Sequence, residues 1–299
     1  YDYVSIDDFL NNTADDARFW YGSVTFPNYD ETQKVMAIFA QDTWKPGNGR
    51  LTLNYGLRYA KTDNPGNLEH AFEEGRNIPD DSHIAPRIGF AYQLVDGRTD
   101  VLRGGVGVFY GRTPTLLMAS AVTANGLFPN YGQLTVRPGD PGFTEFGEPI
   151  QNTNPPADTA PQVTYFNPNF KDAKNTRVNV GYERQIGRNW SASADLLYAE
   201  GANLSRNSDA NAELQGLDPF GRPIYTGMVR DPRYNTLFVR NSNGESKYQA
   251  VTLKTTRRFA DRYSFQAHYT WSKDKDHDSN ERDASDLTIS NQEDPNYDW

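Results

Sequence analysis

The stretch Leu51 to Thr62, LTLNYGLRYAKT, places Leu51, Leu53, Tyr55, Leu57 and Tyr59 at every second position, with Thr52, Asn54, Gly56, Arg58 and Ala60 between them. Successive side chains of a β-strand point to opposite faces, so the pattern predicts a strand with one apolar and one polar face. Similar alternation, with β-branched and aromatic enrichment, recurs at Lys34 to Pro46, Arg50 to Thr62, His83 to Val95, Thr99 to Arg112, Thr176 to Gly187, Trp190 to Leu204, Lys247 to Phe259 and Arg262 to Asp274. Each segment runs about 11 to 14 residues. Globular strands typically have about 5 or 6, whereas a tilted strand needs roughly 9 to 11 to cross hydrocarbon.

The segments form four pairs. Within each pair the connection is a few residues of turn chemistry, KPGNGR, VDGRTD, QIGRN and RFADR, as hairpins require. Between pairs lie Asp63 to Ser82, Thr113 to Asn175 and Ser205 to Ser246, rich in Asn, Asp, Pro and Gly. In an up-and-down arrangement all short turns fall at one end and all long loops at the other, the asymmetry of outer-membrane barrels. Soluble sandwiches and propellers have less reason for it, since loops longer than about 15 residues are uncommon in compact domains. The expected fold is all-β: part of an antiparallel up-and-down transmembrane β-barrel, with eight or more strands in this chain.

Composition agrees once the right test is applied. Hydrophobic residues make up 36% of the 299 residues and the mean hydropathy is strongly negative. No run approaches the roughly 20 apolar residues of a spanning helix, but a spanning strand needs apolar side chains on one face only. The net charge of −9, with acids concentrated between Asp274 and Asp286, argues against a nucleic-acid partner. Without cysteine there is no disulfide framework, thiolate metal site or cysteine nucleophile. The chain opens at Tyr1 with neither a basic n-region nor an apolar h-region, and reads as a piece of a longer protein with no signal peptide in it.

The faces are legible in most segments. Ile84, Pro86, Ile88, Phe90, Tyr92 and Leu94 form one row against Ala85, Arg87, Gly89, Ala91 and Gln93. Leu102, Gly104, Val106, Val108 and Tyr110 stand against Arg103, Gly105, Gly107, Phe109 and Gly111, and Tyr263, Phe265, Ala267, Tyr269 and Trp271 against Ser264, Gln266, His268, Thr270 and Ser272. The candidates for a wet lumen, where opposite charges can pair across strands, are Arg58, Arg87, Arg103, Glu183, Asp195 and His268. Amphipathic rings favour the headgroup level, so Trp44 and Trp190 near the turns and Tyr59, Tyr110, Tyr198 and Trp271 near the loops are the aromatic-girdle candidates, with Tyr263 also near a turn. Two segments stay ambiguous: Lys34 to Pro46 offers two mixed rows, and Lys247 to Phe259 has Val251 and Leu253 in one row and Lys254 in the other. Phe19 to Phe26, Tyr131 to Arg137 and Pro223 to Val229 are read as strand extensions or loop hairpins, and TPTLLMASAVTAN, Thr113 to Asn125, as a short helix inside a long loop.

Motifs for chemistry are sparse. Asp274, Asp276 and Asp278 have calcium-loop spacing, but Ser279 stands where the sharp-turn glycine belongs and Ser285 where the bidentate glutamate belongs, so a solvated acidic loop is the better reading. RGGVGVFYG lacks phosphate-loop spacing and precedes no helix; its glycines suit crowding or close approach in a curved wall. His70, His83, His268 and His277 are scattered, and nothing in the sequence brings His268 together with Ser264, Ser272 or Asp195 as a triad. Arg240, Asn241 and Tyr248 near a loop base fit ligand contact or bracing of the rim equally. No catalytic, cofactor or metal residues are assigned, and the chain is not read as an enzyme.

The strand pairs also carry a resemblance. IAPRIGFAYQLVDGRTDVLRGGVGVFYGR resembles paired barrel strands of TonB-dependent outer-membrane receptors of the Oar-like group. AIFAQDTWKPGNGRLTLNYGLRYA, NVGYERQIGRNWSASADLLYAEGANLSR and SKYQAVTLKTTRRFADRYSFQAHYTWSKDKD are similar to further pairs in the same order. The resemblance implies a barrel of 22 strands filled by an N-terminal plug domain that contacts the TonB energising complex, often with a carboxypeptidase-regulatory-like domain ahead of it. Residues 1–299 are then part of one barrel domain in the cell outer membrane, with the plug outside them; the chain begins where a loop should be and stops at NQEDPNYDW, which lacks the alternation of a closing strand. The partners so implied are outer-membrane lipid, TonB through the plug, and an unidentified extracellular substrate captured by long loops. The alternatives are a surface barrel acting as adhesin or assembly platform through the Pro-rich loop Thr113 to Asn175, and a passive porin.

Overall fold

A computed structural model describes residues 3–15, 17–21, 30–47, 49–95, 100–127, 132–136, 138–139, 143, 146, 162–225, 230–277, 291 and 294. The strands in chain order are β1 (Ala17–Tyr21), β2 (Lys34–Trp44), β3 (Leu51–Asp63), β4 (Asp81–Gln93), β5 (Asp100–Tyr110), β6 (Gly132–Val136), β7 (Gln162–Phe166), β8 (Lys174–Ile186), β9 (Trp190–Asp209), β10 (Gly216–Leu217), β11 (Pro223–Ile224), β12 (Thr236–Ala260) and β13 (Tyr263–Asp276). Helices α1 (Ile6–Leu10) and α2 (Thr115–Thr123) and a 3-10 turn at Glu74–Arg76 complete the described elements. Among the described residues no helix is long and apolar enough to cross a membrane.

Eight strands form one wall in the order β2, β3, β4, β5, β8, β9, β12, β13, every neighbouring pair antiparallel. These are the eight alternating segments of the sequence, and chain order equals spatial order. The connections at 45–50, 94–99, 187–189 and 261–262 therefore share one end, and those at 64–80, 111–173 and 210–235 share the other. The tightest turn, Asp261-Arg262, has both residues at positive φ, 52° and 76°, the backbone twist that a two-residue hairpin demands. Arg257 holds it: its guanidinium donates to the carbonyls of Ala260 and Tyr263 at 2.6 and 2.7 Å and to the Asp261 carboxylate at 2.7 Å.

At the loop end the structure departs from the sequence reading. β9 and β12 run past the alternating segments, to Asp209 and back from Thr236, through register shifts around Gly244 and with Asn203 at positive φ. Ser205 to Ser246 thus contributes paired strand where the composition reads as loop, because a ladder is held by backbone hydrogen bonds and needs no apolar alternation. β7 pairs with β12 in parallel, an exception to the antiparallel expectation that lies outside the wall. β10 pairs with β11 as a short loop hairpin, whereas β1 pairs with β6 from far along the chain, so those two candidates form a ladder between distant segments and not a hairpin. Residues 22–26, 131, 137 and 226–229 of those candidates lie outside the described residues, as do the turn residues 48 and 96–99.

The described parts of the loops pack together. α2 packs Leu117, Met118 and Ala121 against Leu68 and Ile78 of the first long loop and against Phe166 and Phe170, forming a small dry core with Val122 at its edge. Phe166 and Phe170 meet edge to face with ring centres 4.9 Å apart. This cap is the cluster of apolar burial among the described residues, and the eight wall strands themselves form one continuous sheet.

Candidate functional site

Register settles which side chains share a face, since directly paired residues point the same way. One row runs Gln41, Gly56, Arg87, Gly107, Arg177, Ala199, Tyr248, Asp274 across the eight strands. A second, nearer the turns, runs Thr52, Ala91, Arg103, Gly181, Asp195, Thr252, Thr270, and a third joins Val101, Glu183, Ser193, Lys254 and His268. Arg58 belongs to the same face, between Phe39 and Ala85. All six charged or titratable candidates of the sequence therefore stand on one polar face.

The opposite face carries Met36, Ile38, Leu57, Ile84, Ile88, Val106, Val180, Leu196, Leu253 and Tyr269, each exposed. Trp44, Tyr59, Trp190, Tyr198 and Trp271 fall in these rows too, Trp44 and Trp190 at the turn end and the others towards the loops, whereas Tyr110 turns its ring onto His83 at the loop end instead of joining the exposed row. The two ambiguous segments resolve: β2 turns Met36, Ile38 and Trp44 to the apolar face and Phe39 to the polar one, and β12 turns Val251 and Leu253 to the apolar face and Lys254 to the polar one. Asp42 sits among the apolar residues near the turn end, where its carboxylate accepts a hydrogen bond from the Tyr55 hydroxyl at 3.0 Å.

On the polar face Arg103 is fully engaged. Its two terminal nitrogens reach the carboxylates of Glu183 at 3.1 Å and Asp195 at 3.2 Å. Gly181 lies between Arg103 and Asp195 in the row, and a Cβ there would collide with the Asp195 carboxylate and crowd the Arg103 guanidinium, so glycine is what permits the bridge. Ser191, Ser193, Lys254 and Thr256 close a polar pocket of about 300 Å³ around it. His268 faces Lys254 across the β12–β13 ladder, while Ser264 and Ser272 each lie four positions away along β13, roughly 13 Å at strand rise. No triad is assembled.

Further up, Phe109 packs under two guanidinium groups, Arg87 at 4.4 Å and Arg177 at 5.7 Å from the ring centre. A cavity of about 950 Å³ is bordered by Phe39, Arg58, Arg87, Phe109, Arg177 and Asn179 among others. The residues of β8 and β9 that reach it, Arg177, Asn179 and Leu197, all belong to the polar face.

Where the wall meets the cap, sequence reasoning missed a buried cluster. The His83 Nε2–H donates to Asp172 Oδ2, 3.0 Å away, and Asp172 Oδ1 accepts from the Thr113 amide at 3.0 Å and hydroxyl at 2.6 Å. Asp81 Oδ2 accepts from the Asp172 amide at 2.9 Å, and the Tyr110 ring stacks on His83 with centres 4.1 Å apart. The β4–β5 ladder ends at Arg87–Gly107, which frees Tyr110 to turn onto the imidazole. Asp81, His83 and Asp172 are the one set among the described residues whose ligand atoms gather within 4.8 Å, as a metal site would need. Their oxygens already accept protein hydrogen bonds, so the set acts as a clasp between β4 and the loop before β8. Arg240 and Asn241 brace the rim likewise: Arg240, 3% exposed, donates to Asn207 at 3.1 Å and Ser120 at 2.7 Å, and Asn241 donates to Ser208 at 2.8 Å. Tyr248 instead stands on the polar face. Asp274 and Asp276 are on the polar face of β13, and Asp278, Ser279 and Ser285 of the acidic run lie outside the described residues.

His70 ties the first loop to the cap. Its Nδ1 accepts from the Phe72 amide and its Nε2 lies 3.0 Å from the Thr164 carbonyl, a pairing that requires the neutral Nε2–H tautomer. Burial pushes the imidazole below its ordinary value, outweighing the two backbone bonds. A histidine whose folded value is lowered binds fewer protons than the unfolded loop, so cap stability is complete above about pH 6.5 and falls as the pH drops through that value. Limited proteolysis of the 64–80 loop is expected to quicken between pH 7.5 and 5.5, and the His70→Gln variant to lose most of that step.

A sequence model of the outer membrane beta barrel domain matches residues 4–299. Among solved structures, the FrpB iron transporter from Neisseria meningitidis (F3-3 variant) superposes with a TM-score of 0.50 at 10% identity, covering 83% of this chain and 27% of that one. The copper transporter OprC gives 0.43 at 14% identity, covering 81% and 29%, and the siderophore receptor PirA from Pseudomonas aeruginosa 0.46 at 10% identity, covering 81% and 34%. The first likeness speaks to the fold alone; the two lower scores carry no argument. The chain spans roughly a quarter to a third of the length of these proteins. Comparison with curated protein sequences found no match.

Proposed function

The chain belongs to the outer membrane β-barrel domain family and is a stretch of barrel wall in the outer membrane; from this premise we propose that it is part of a TonB-dependent receptor of the Oar-like group, which captures a solute with its long loops and imports it through a plugged barrel. All of residues 1–299 then belong to one barrel domain. The apolar face meets lipid between two aromatic belts, and Arg58, Arg87, Arg103, Glu183, Asp195 and His268 line the water-filled interior.

The observation that carries this reading is the division of labour at the two ends of the wall. All four turns between hairpin partners are short, while the other end bears a folded cap clasped to the rim through Asp172 and Arg240. A passive pore needs no such cap; a receptor that must bind before it imports does. Energised import is supported further by the strand-by-strand resemblance to the TonB-dependent group, and the partners that follow are lipid, TonB through the plug, and a solute at the cell surface.

Two measurements test the reading. Residues 1–299 contain no cysteine, so within them an introduced cysteine is the single thiol, and the unsubstituted full-length protein gives the labelling background. In the full-length protein in intact outer membrane, Asn179→Cys is expected to react with a small water-soluble maleimide and Val180→Cys, one residue along, to react only with a lipid-soluble one. Reversed labelling removes the interior assignment. A complete reading frame with no plug-encoding segment ahead of the barrel rejects energised import in favour of a passive channel.

A further inference from the structure

We propose that Arg58, Arg87 and Arg177 form a binding site on the polar face for a solute carrying two or more oxyanion groups, carboxylates or phosphates. The inference rests on the reading of that face as the barrel interior. It begins from a contrast within one face. Arg103 is neutralised by two carboxylates, whereas none of Arg58, Arg87 and Arg177 makes an ion pair among the described residues. The acids nearest Arg177 along its row, beyond Ala199 and Tyr248, begin with Asp274 three strands away. Asp42 also borders the cavity, but its carboxylate is engaged by the Tyr55 hydroxyl on the opposite face.

The surroundings are built to keep this charge available. Along the row the residue types run Gly56, Arg87, Gly107, Arg177, Ala199, so Arg87 lies between two glycines and Arg177 between a glycine and an alanine, and the next row towards the turns pairs Asn54, Gly89, Gly105 and Asn179. A Cβ on Gly107 would come within 3.0 Å of the Phe109 ring and 3.3 Å of the Arg87 stem, and one on Gly56 within 3.0 Å of the neighbouring strand. Glycine in a strand interior weakens the strand and marks a place of close approach. Here it leaves a floor for the cavity of about 950 Å³. Phe109 lies within cation–π reach of both Arg87 and Arg177, which limits the freedom of two planar forks without consuming their N–H donors.

Clustered like charges with no counter-charge repel, and a wall selected for stability alone would interleave acids, as it does around Arg103. Guanidinium groups recognise carboxylate and phosphate with paired, charge-assisted hydrogen bonds, and three of them around one cavity favour a polyanion over a single charge. Asn175, which accepts from Arg177 Nε at 2.8 Å, and Asn179 supply neutral donors beside them.

The test uses the full-length protein in detergent micelles at low ionic strength, with citrate and pyrophosphate as probes in isothermal titration. Wild type is expected to bind at least one of them, citrate alone identifying carboxylate chemistry and pyrophosphate alone phosphate. Arg87→Gln and Arg177→Gln should each weaken binding tenfold or more, while Arg184→Gln, on the apolar face of the same strand as Arg177, should leave it unchanged. Equal binding by Arg87→Gln, or no binding of either probe by wild type, overturns the proposal. Failure to bind together with a lowered melting temperature of Arg87→Gln overturns it in favour of an internal carboxylate from elsewhere in the protein. The cysteine labelling described above separates the cases: water access at residue 179 without anion binding removes this site and leaves the receptor reading standing.

Discussion

Leu196→Arg is expected to destabilise the barrel by roughly 2–4 kcal/mol, and Leu197→Arg, its immediate neighbour, by no more than about 1 kcal/mol. Leu196 pairs with Val180 and Val251 on the apolar face and is 53% exposed, so in the membrane its surroundings are acyl chains. A guanidinium there must drag water into hydrocarbon or stretch to the headgroups. Leu197 pairs with Asn179 and Ala250 on the polar face, where an arginine adds one charge to a wet surface. Denaturant unfolding of the full-length protein in phospholipid vesicles measures both. Equal costs would show that the alternation does not separate lipid from water, and the barrel orientation would fall with it.

That doublet also marks the limit of what the sequence discloses. Eight strands are legible because two-residue periodicity survives wherever one face meets lipid and the other water, and the short turns declare themselves through Gly, Asn and Asp. Faces are legible only while the rows stay chemically distinct. In β2 the pairs Ile38–Tyr59 and Phe39–Arg58 set an apolar residue on each side, and only the register with β3 decides between them. The cap is illegible for another reason. Its core joins Leu68, Met118 and Phe166, and the clasp joins His83 to Asp172 across 89 positions, so no local period records either. The paired extension of β9 and β12 hides in Asn- and Ser-rich sequence because its ladder is held by backbone hydrogen bonds. The charged candidates were identifiable one strand at a time; that Arg103 is neutralised while Arg87 and Arg177 share a phenyl ring is a property of cross-strand neighbours alone.

Phe166→Ala should cost the cap about 3–5 kcal/mol while leaving the wall folded. Phe166 is 1% exposed, stacks edge to face on Phe170, and closes the cluster with Leu68, Leu117 and Met118, so its removal opens a void that the short helix α2 cannot fill without leaving its own contacts. The seven ladders of the wall are hydrogen-bonded without β7, which joins only the loop-end extension of β12, so the loss is confined to that end. Hydrogen exchange on the full-length protein should show the amides of Val163–Phe166 and of α2 losing protection, with those of β3, β4 and β8 unchanged. Leu116→Ala, on the 67%-exposed side of the same helix, provides the control and should alter neither. If instead protection fell throughout the wall, cap and barrel would be one cooperative unit. A loop end built that way could not rearrange without unfolding its wall, whereas a separable cap can rearrange while the wall stays folded.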